Sequence, residues 1–237
     1  GDVYKRQVAI AYIFFALLMQ SSTSFQVEPI NAGSFGVWLT QAQAALQGRG
    51  GMDVPCGDCV GCCTSHYSIL LRPEDVALDL VPASLLSSVP GMRYPHAKMN
   101  PRADGTCQMF IAGRCSIYTQ RPQTCLDYDC RVFAAAGLEA GEDKPVINRR
   151  IRAWQFNYDS EADRVAHQAI QLAAQFIQQH ADAFPVGWAP RVPAGVAVLA
   201  LKVHQVFIGF DESKKTVAEQ VSAVMSASVA FDQSKTL

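Results

Sequence analysis

Residues 55–63 read "PCGDCVGCC", placing four cysteines, Cys56, Cys59, Cys62 and Cys63, within eight positions, with glycine and aspartate in most of the gaps. No helix or strand accommodates that run with all four thiols packed, so it must be a loop whose sulfurs serve a metal, disulfides or catalysis. C-x2-C puts two sulfurs on a tight turn whose backbone N–H groups point into the site, towards the sulfurs, which suits a pair of thiolate ligands. C-x2-C-x2-C extends this to three ligands, the local spacing of ferredoxin-type cluster binding. A second cohort follows at Cys107, Cys115, Cys125 and Cys130, with gaps of seven, nine and four residues. Four plus four thiols permit two tetrahedral zinc sites, one iron–sulfur cluster with spare thiols, or a mixture. Adjacent Cys62 and Cys63 are expected to point to different sides. On one continuous helix Cys125 and Cys130 would lie about 140° apart round the axis, so both face one metal only if the helix starts late or breaks.

Composition excludes several other classes. Of 237 residues, 49% are hydrophobic and 17% charged, enough to bury a sizeable core and unlike a disordered chain. The formal net charge of -1 makes no electrostatic case for nucleic acid or an acidic membrane. Eight cysteines, all between Cys56 and Cys130, are too few for a disulfide-dense miniprotein and too clustered for scattered core thiols. No paired carboxylates, nucleophile elbow or phosphate loop stands out, so no substrate or catalytic residue is assigned.

The first 34 residues are expected to be an artefact or a disordered leader. Residues 8–19, "VAIAYIFFALLM", are 12 apolar residues, short of the roughly 20 that span a bilayer. Lys5 and Arg6 before them and "SSTS" after them imitate a secretory signal peptide. The preceding "DVYKRQ" resembles translated sequencing adapter, which makes Met19 and Met52 alternative starts. Residues 35–237 are read as one domain, a cysteine-cluster module over 35–155 and a helical part over 156–237. Thiolate sites persist in reducing compartments, so a cytoplasmic location is expected, with no membrane partner.

Periodicity supplies the elements. "GSFGVWLTQAQAAL" predicts a helix with Phe35, Trp38, Leu39 and Ala42 on one face. "HYSILL" predicts a strand, "RPEDVALDL" a helix opened by Pro73, and residues 90–105 a loop. "TCQMFIAGRCSIY" predicts a hairpin with arms 109–111 and 116–118 around Ala112-Gly113. "RPQTCLDYDCRVFAAAG" predicts one helix from Pro122 to Gly137. In "KPVINRRIRAW", Val146, Ile147, Ile151 and Trp154 share a face. Ser160 and Asp163 form a capping box for a helix striped by Val165, Ala169, Leu172, Ala173, Phe176 and Ile177. "GVAVLALKVHQVFIGF" and "KKTVAEQVSAVMSA" are read as two further helices.

These cysteines fall into a known pattern. "CGDCVGCC" followed by "DGTCQMFIAGRCSIYTQRPQTC" resembles the YkgJ-type CxxCxxCC cysteine-cluster family, described as zinc- or iron-chelating. Cys56, Cys59, Cys62, Cys63, Cys107, Cys115, Ile117, Tyr118, Arg121, Pro122 and Cys125 fill its positions, and Cys130 reads as a subgroup extra. The resemblance covers roughly residues 35 to 155. Flagellin lysine methylases are similar in this module and carry an iron–sulfur cluster. The chain lacks their glycine-rich loop after a strand, so methylase activity does not transfer.

The expected protein is therefore α+β and predominantly helical, with a short β-hairpin and an irregular cysteine-rich layer stapled by metal. All eight cysteines are candidate ligands of an iron–sulfur cluster or zinc, in a structural or redox role. The alternatives are a thiol-based redox enzyme or sensor, and a metal-stapled accessory or interaction module. Ordinary roles are expected elsewhere: His66 and His96 packed or solvated, Arg121 paired with Asp127 or Asp129, Tyr118 in the core. Arg149, Arg150 and Arg152 are expected to form a solvated helix face.

Overall fold

A computed structural model describes residues 28–234 apart from 53, 90–95 and 212–213. The apolar run 8–19 and the adapter-like segment lie outside the described residues, whereas residues 28–34 of the expected leader are described and residues 30–34 of it are a strand. About half of the chain is helical and the strands are few and short, consistent with an α+β fold.

The larger body starts with strand β1 (Ile30–Ser34), which runs directly into helix α1 (Phe35–Leu46). Phe35, Trp38, Leu39 and Ala42 form the buried face of α1, the spacing expected of one stripe on a 3.6-residue period. β1 pairs in parallel with β7 (Trp154–Asn157), far along the chain, a pairing that local pattern did not announce. β7 follows helix α5 (Pro145–Ala153), whose inward face is Ile147 and Ile151; Val146 is exposed instead, and Trp154 belongs to the strand. Helix α6 (Glu161–Gln179) opens with the expected capping box: Ser160 Oγ accepts from the Asp163 N–H and Asp163 accepts from the Ser160 N–H. Its buried face carries Ala169, Ile170, Ala173, Phe176 and Ile177. Helix α7 (Pro193–Val203) continues into a 3₁₀ turn over His204–Phe207, and α8 (Val217–Gln233) opens with a second capping box, Thr216 with Glu219.

The segment 122–137, expected as one helix, is two. α3 (Gln123–Asp127) ends at Tyr128, whose backbone is extended, and α4 (Arg131–Ala136) follows, closed by left-handed Gly137. The break has a physical cause. Asp129 and Arg131 form an ion pair at 2.9 Å with both side chains only 6% exposed. Trp38 Nε1–H donates to Asp129 Oδ2 at 2.8 Å, and an Arg131 terminal nitrogen donates to the Ala32 carbonyl at 3.0 Å. Buried charges must be fully hydrogen-bonded, and a continuous helix would turn this pair away from its partners.

A smaller layer holds a three-stranded antiparallel sheet, β2 (Ile69–Leu71), β3 (Leu86–Ser88) and β4 (Ala97–Met99), in the order β2-β4-β3. β4 lies in the stretch expected as loop; three residues give too short a pattern to read. The helix expected over 72–80 shrinks to one turn, α2 (Ala77–Leu80), preceded by turns in which Asp75 Oδ2 accepts from the Arg72 N–H. The hairpin is real but tighter than expected: β5 (Phe110–Ile111) pairs with β6 (Arg114–Cys115), so Ser116–Tyr118 are outside it. Leu71, Ala77, Val81, Met99, Met109 and Ile117 form this layer's own apolar cluster, separate from the large core under α1, α4, α6 and α7. Among the described residues no helix is long and apolar enough to cross a membrane.

Truncating Asp129 to Ala should destabilise the larger body by about 3–5 kcal/mol, because Arg131 is left as an uncompensated buried charge. Denaturant unfolding followed by tryptophan fluorescence measures this, and a cost below about 1 kcal/mol contradicts it. Acid should act through His204. Its Nδ1 lies 2.9 Å from the Leu201 carbonyl oxygen, which can only accept, so Nδ1 carries the proton and Nε2 accepts from Gln205 Nε2 at 3.0 Å. Burial lowers the His204 pKa, and that of His167, below the ordinary imidazole value. Below about pH 6.5 the unfolded chain therefore binds more protons than the folded one, so stability falls with acidification, by at most about 1.4 kcal/mol per pH unit per histidine. The unfolding midpoint should drop between pH 7.5 and 5.5, with a shallower slope in His204→Asn; equal slopes would refute the assignment.

Candidate metal centre

The CxxCxxCC loop is built by its own backbone. The Cys59 N–H closes on the Cys56 carbonyl at 3.0 Å and the Gly61 N–H points at Cys59 Sγ at 3.5 Å, the turn-amide arrangement expected for C-x2-C. Gly61 packs closely here: a Cβ would lie 3.1 Å from Ile147 Cγ1 on α5, a tight contact, and 3.5 Å from Cys59 Sγ. Residues Gly61–Thr64 then form a 3₁₀ turn carrying Cys62 and Cys63. Cys62 is exposed and Cys63 half-buried, and both line the same cavity.

The second cohort is delivered to the same place by separate devices. The Cys107 N–H donates to the Cys63 carbonyl at 2.7 Å, seating the two cysteines side by side. Arg102 holds the turn after Cys107, donating to the carbonyls of Cys107, Gln108 and Phe110 at 3.0, 2.7 and 3.0 Å. Cys115 comes from β6, opposite Phe110. Cys125 sits on α3, whose start is fixed by the Gln123 N–H donating to Asp75 Oδ1 at 2.8 Å. Cys130 precedes α4 beyond the helix break and is the buried member of the set. Trp154 Nε1–H donates to Cys130 Sγ at 3.1 Å.

All eight cysteines, Cys56, Cys59, Cys62, Cys63, Cys107, Cys115, Cys125 and Cys130, line one cavity of about 370 Å³. Its other walls include Met52, Tyr67, Met109, Tyr128 and Ile147, and the two tyrosine hydroxyls meet at 3.1 Å. The cavity lies between the two apolar clusters: Cys130 belongs to the large core, whereas Cys107 and Cys115 pack against the small one. Every one of the thiols is free rather than in a disulfide. Among the described residues no three Cys, His, Asp or Glu side chains are already gathered at a single ion position. The donor set thus fits a soft metal, while the thiols ring a cavity larger than one ion.

Burial favours the protonated form of several of these thiols. Burial raises Cys56, with neighbouring Cys62 and Cys59 adding to it and Arg150 opposing. Burial also raises Cys107, and pushes Cys125 and Cys130 up to about 12. Cys62 is raised as well, by the neighbouring Cys63 thiol and then by burial. A bound cation inverts this balance, since a coordinating thiol is deprotonated outright.

Several side chains depart from their sequence reading. Arg121 pairs with neither Asp127 nor Asp129, which are taken by Arg72 and Arg131; it donates to the Tyr118 carbonyl at 2.8 Å and lies over that ring. Tyr118 is 53% exposed, not core, because the hairpin ends before it. His66 is exposed, and neither it nor His96 lines the cavity. Of the expected solvated arginines, Arg149 is exposed and Arg152 pairs with Glu139, but Arg150 lines the cysteine cavity. Its signal in the sequence was only its place one turn before Trp154.

No curated protein and no solved structure shows significant similarity to the chain. A family model does match, over residues 55–144, under the description CxxCxxCC, "putative zinc- or iron-chelating domain". The cavity's cysteines all fall inside that span, so it is residues 55–144 that are similar to the CxxCxxCC family.

Proposed function

We propose that the cysteine cavity holds an iron–sulfur cluster through its thiolates, in a structural or redox role, with zinc as the second reading. The observation that carries this is the convergence of eight free cysteines, from segments 56–63, 107–115 and 125–130, on one cavity. Its size favours a polynuclear occupant: about 370 Å³ is on the order of ten water volumes, against a single zinc ion drawn tightly into four ligands. Zinc is supported by the family description, which names both metals. An iron–sulfur cluster, once bound, would supply one-electron chemistry or a rigid cross-link.

The chain's own residues supply the rest. Cys56 and Cys59 offer the turn best disposed for thiolate ligands, Cys107 and Cys115 reach in from the small layer, and Cys125 and Cys130 from the larger body. A shared centre would fasten the two apolar clusters together, which gives the expected metal-stapled layer a physical meaning. A reducing compartment, the cytoplasm above all, suits free thiols at this density. A thiol-redox enzyme or sensor is the weaker reading, since burial raises Cys56, Cys107, Cys125 and Cys130, and among the described residues no histidine lines the cavity.

Anaerobic purification with an absorption spectrum and analysis for iron, sulfide and zinc tests the reading. Brown protein with matching iron and sulfide is expected; colourless protein with stoichiometric zinc would replace the cluster, and metal-free protein after reconstitution would end both. Removing the metal should speed amide exchange around the cysteines well before α6 to α8, because those helices bury their own stripes. Equal exchange in both regions before and after chelation would contradict the stapling role. Cys56→Ser and Cys59→Ser should each lower metal content per chain by more than half, measured under reducing anaerobic conditions.

A further inference from the structure

We propose that Arg150 and Trp154, at the junction of α5 and β7, are positioning residues of the cysteine centre, acting as one unit on Cys56 and Cys130. The inference rests on the metal-centre reading above. One terminal nitrogen of Arg150 donates to the carbonyls of both Pro55 and Cys56, each at 2.8 Å, so the guanidinium fixes the first cysteine through its backbone. The same guanidinium lies over the Trp154 ring, 4.6 Å from its centroid. The indole N–H is in turn spent on Cys130 Sγ at 3.1 Å. Two cysteines 74 positions apart are thus held from behind by two side chains in contact.

Two further features point the pair towards a loaded centre rather than towards fold alone. Arg150 Nε is buried and has no hydrogen-bond partner among the described residues, although Arg150 lines the cavity. A buried donor left unsatisfied is costly, and a thiolate sulfur or another anionic ligand in the cavity would satisfy it. Thiolate centres also gather negative charge, and a guanidinium at half-buried depth compensates it without competing for the metal. N–H donors to ligand sulfurs tune affinity and potential in such sites, and Trp154 is placed as one. The pair also gives Cys130 a place in the centre, although it lies outside the shared cysteine pattern.

The test uses the full chain, loaded anaerobically with whichever probe the wild type retains: ferrous iron with sulfide, or Co²⁺ as a coloured stand-in for zinc. Arg150→Lys keeps the charge but removes Nε–H and the flat stacking surface. Trp154→Phe keeps a ring but removes the donor to Cys130. Each should weaken metal retention against a competing chelator by about 10- to 100-fold and change the sulfur-to-metal charge-transfer absorption, with helical circular dichroism intact. Because the two act as a unit, the double variant should lose little more than the worse single. Retention within twofold of wild type in both single variants, unchanged charge-transfer absorption, or fully multiplicative losses in the double variant would overturn the proposal. So would loss of helical structure in both single variants, which would make the pair structural. If the wild type retains neither probe, the metal-centre reading itself falls, a result distinct from equal binding by wild type and variants.

Discussion

The buried ion pair between Asp129 and Arg131 is the constraint around which the site is arranged. Both side chains are 6% exposed, so neither charge is tolerable alone, and their hydrogen bonds reach α1 through Trp38 and β1 through the Ala32 carbonyl. Satisfying that pair breaks the helix after Asp127 and leaves Cys130 between two bonded charges. Arg131 also lies over the Trp154 ring, 6.0 Å from its centroid, on the residue that donates to Cys130. A folding requirement of the larger body thereby sets where one thiol stands.

The other thiols depend on small, separate backbone devices: the Gly61 turn, the Cys107-to-Cys63 hydrogen bond, the Arg102 clamp and the β5–β6 hairpin. None of these buries much apolar surface. The small layer's cluster of Leu71, Met99, Met109, Ile117 and their neighbours is modest beside the large core, which brings together Phe35, Trp38, Phe133, Ile170, Leu201 and Phe207. Apolar burial near 25 cal/mol per Å² rewards the second far more than the first. A metal across the cavity would then matter most to the layer least able to hold itself.

How much of this was legible beforehand depended on whether the information was local. The face of α1, both apolar stripes of α5 and α6 and the Ser160–Asp163 box are periodic or adjacent signals, and they appear where they were read, with small shifts such as Val146 and Ile170. The cysteine spacing led to the family whose model matches residues 55–144. What failed was long-range or very short: the parallel β1–β7 pair joins residues more than a hundred positions apart, and β4 has three residues. The helix break was foreseen only as a condition, because its cause is a contact with Trp38 and Ala32. Arg150 was misread for the same reason. A triplet of arginines on a helix normally faces water, and only the tertiary position of Cys56 turns one of them inward.

The cavity's thiol lining answers to the same physics as a bound metal would. Cysteine thiols are small, weakly polar groups, so eight protonated ones can line an apolar pocket at little cost. Burial pushes Cys125 and Cys130 up to about 12, so without a cation beside them these two thiols stay uncharged. Replacing those protons with a metal reverses the problem, because each thiolate adds a charge that the ion only partly cancels. The centre then needs cations close by but not inside. Arg114, Arg121 and Arg150 stand around the cavity, yet Arg121 is committed to Tyr118, and Arg150 alone among them combines a buried, unpartnered donor with a direct hold on a cysteine carbonyl. Compensation for a thiolate centre is therefore concentrated at the point where the CxxC turn meets α5.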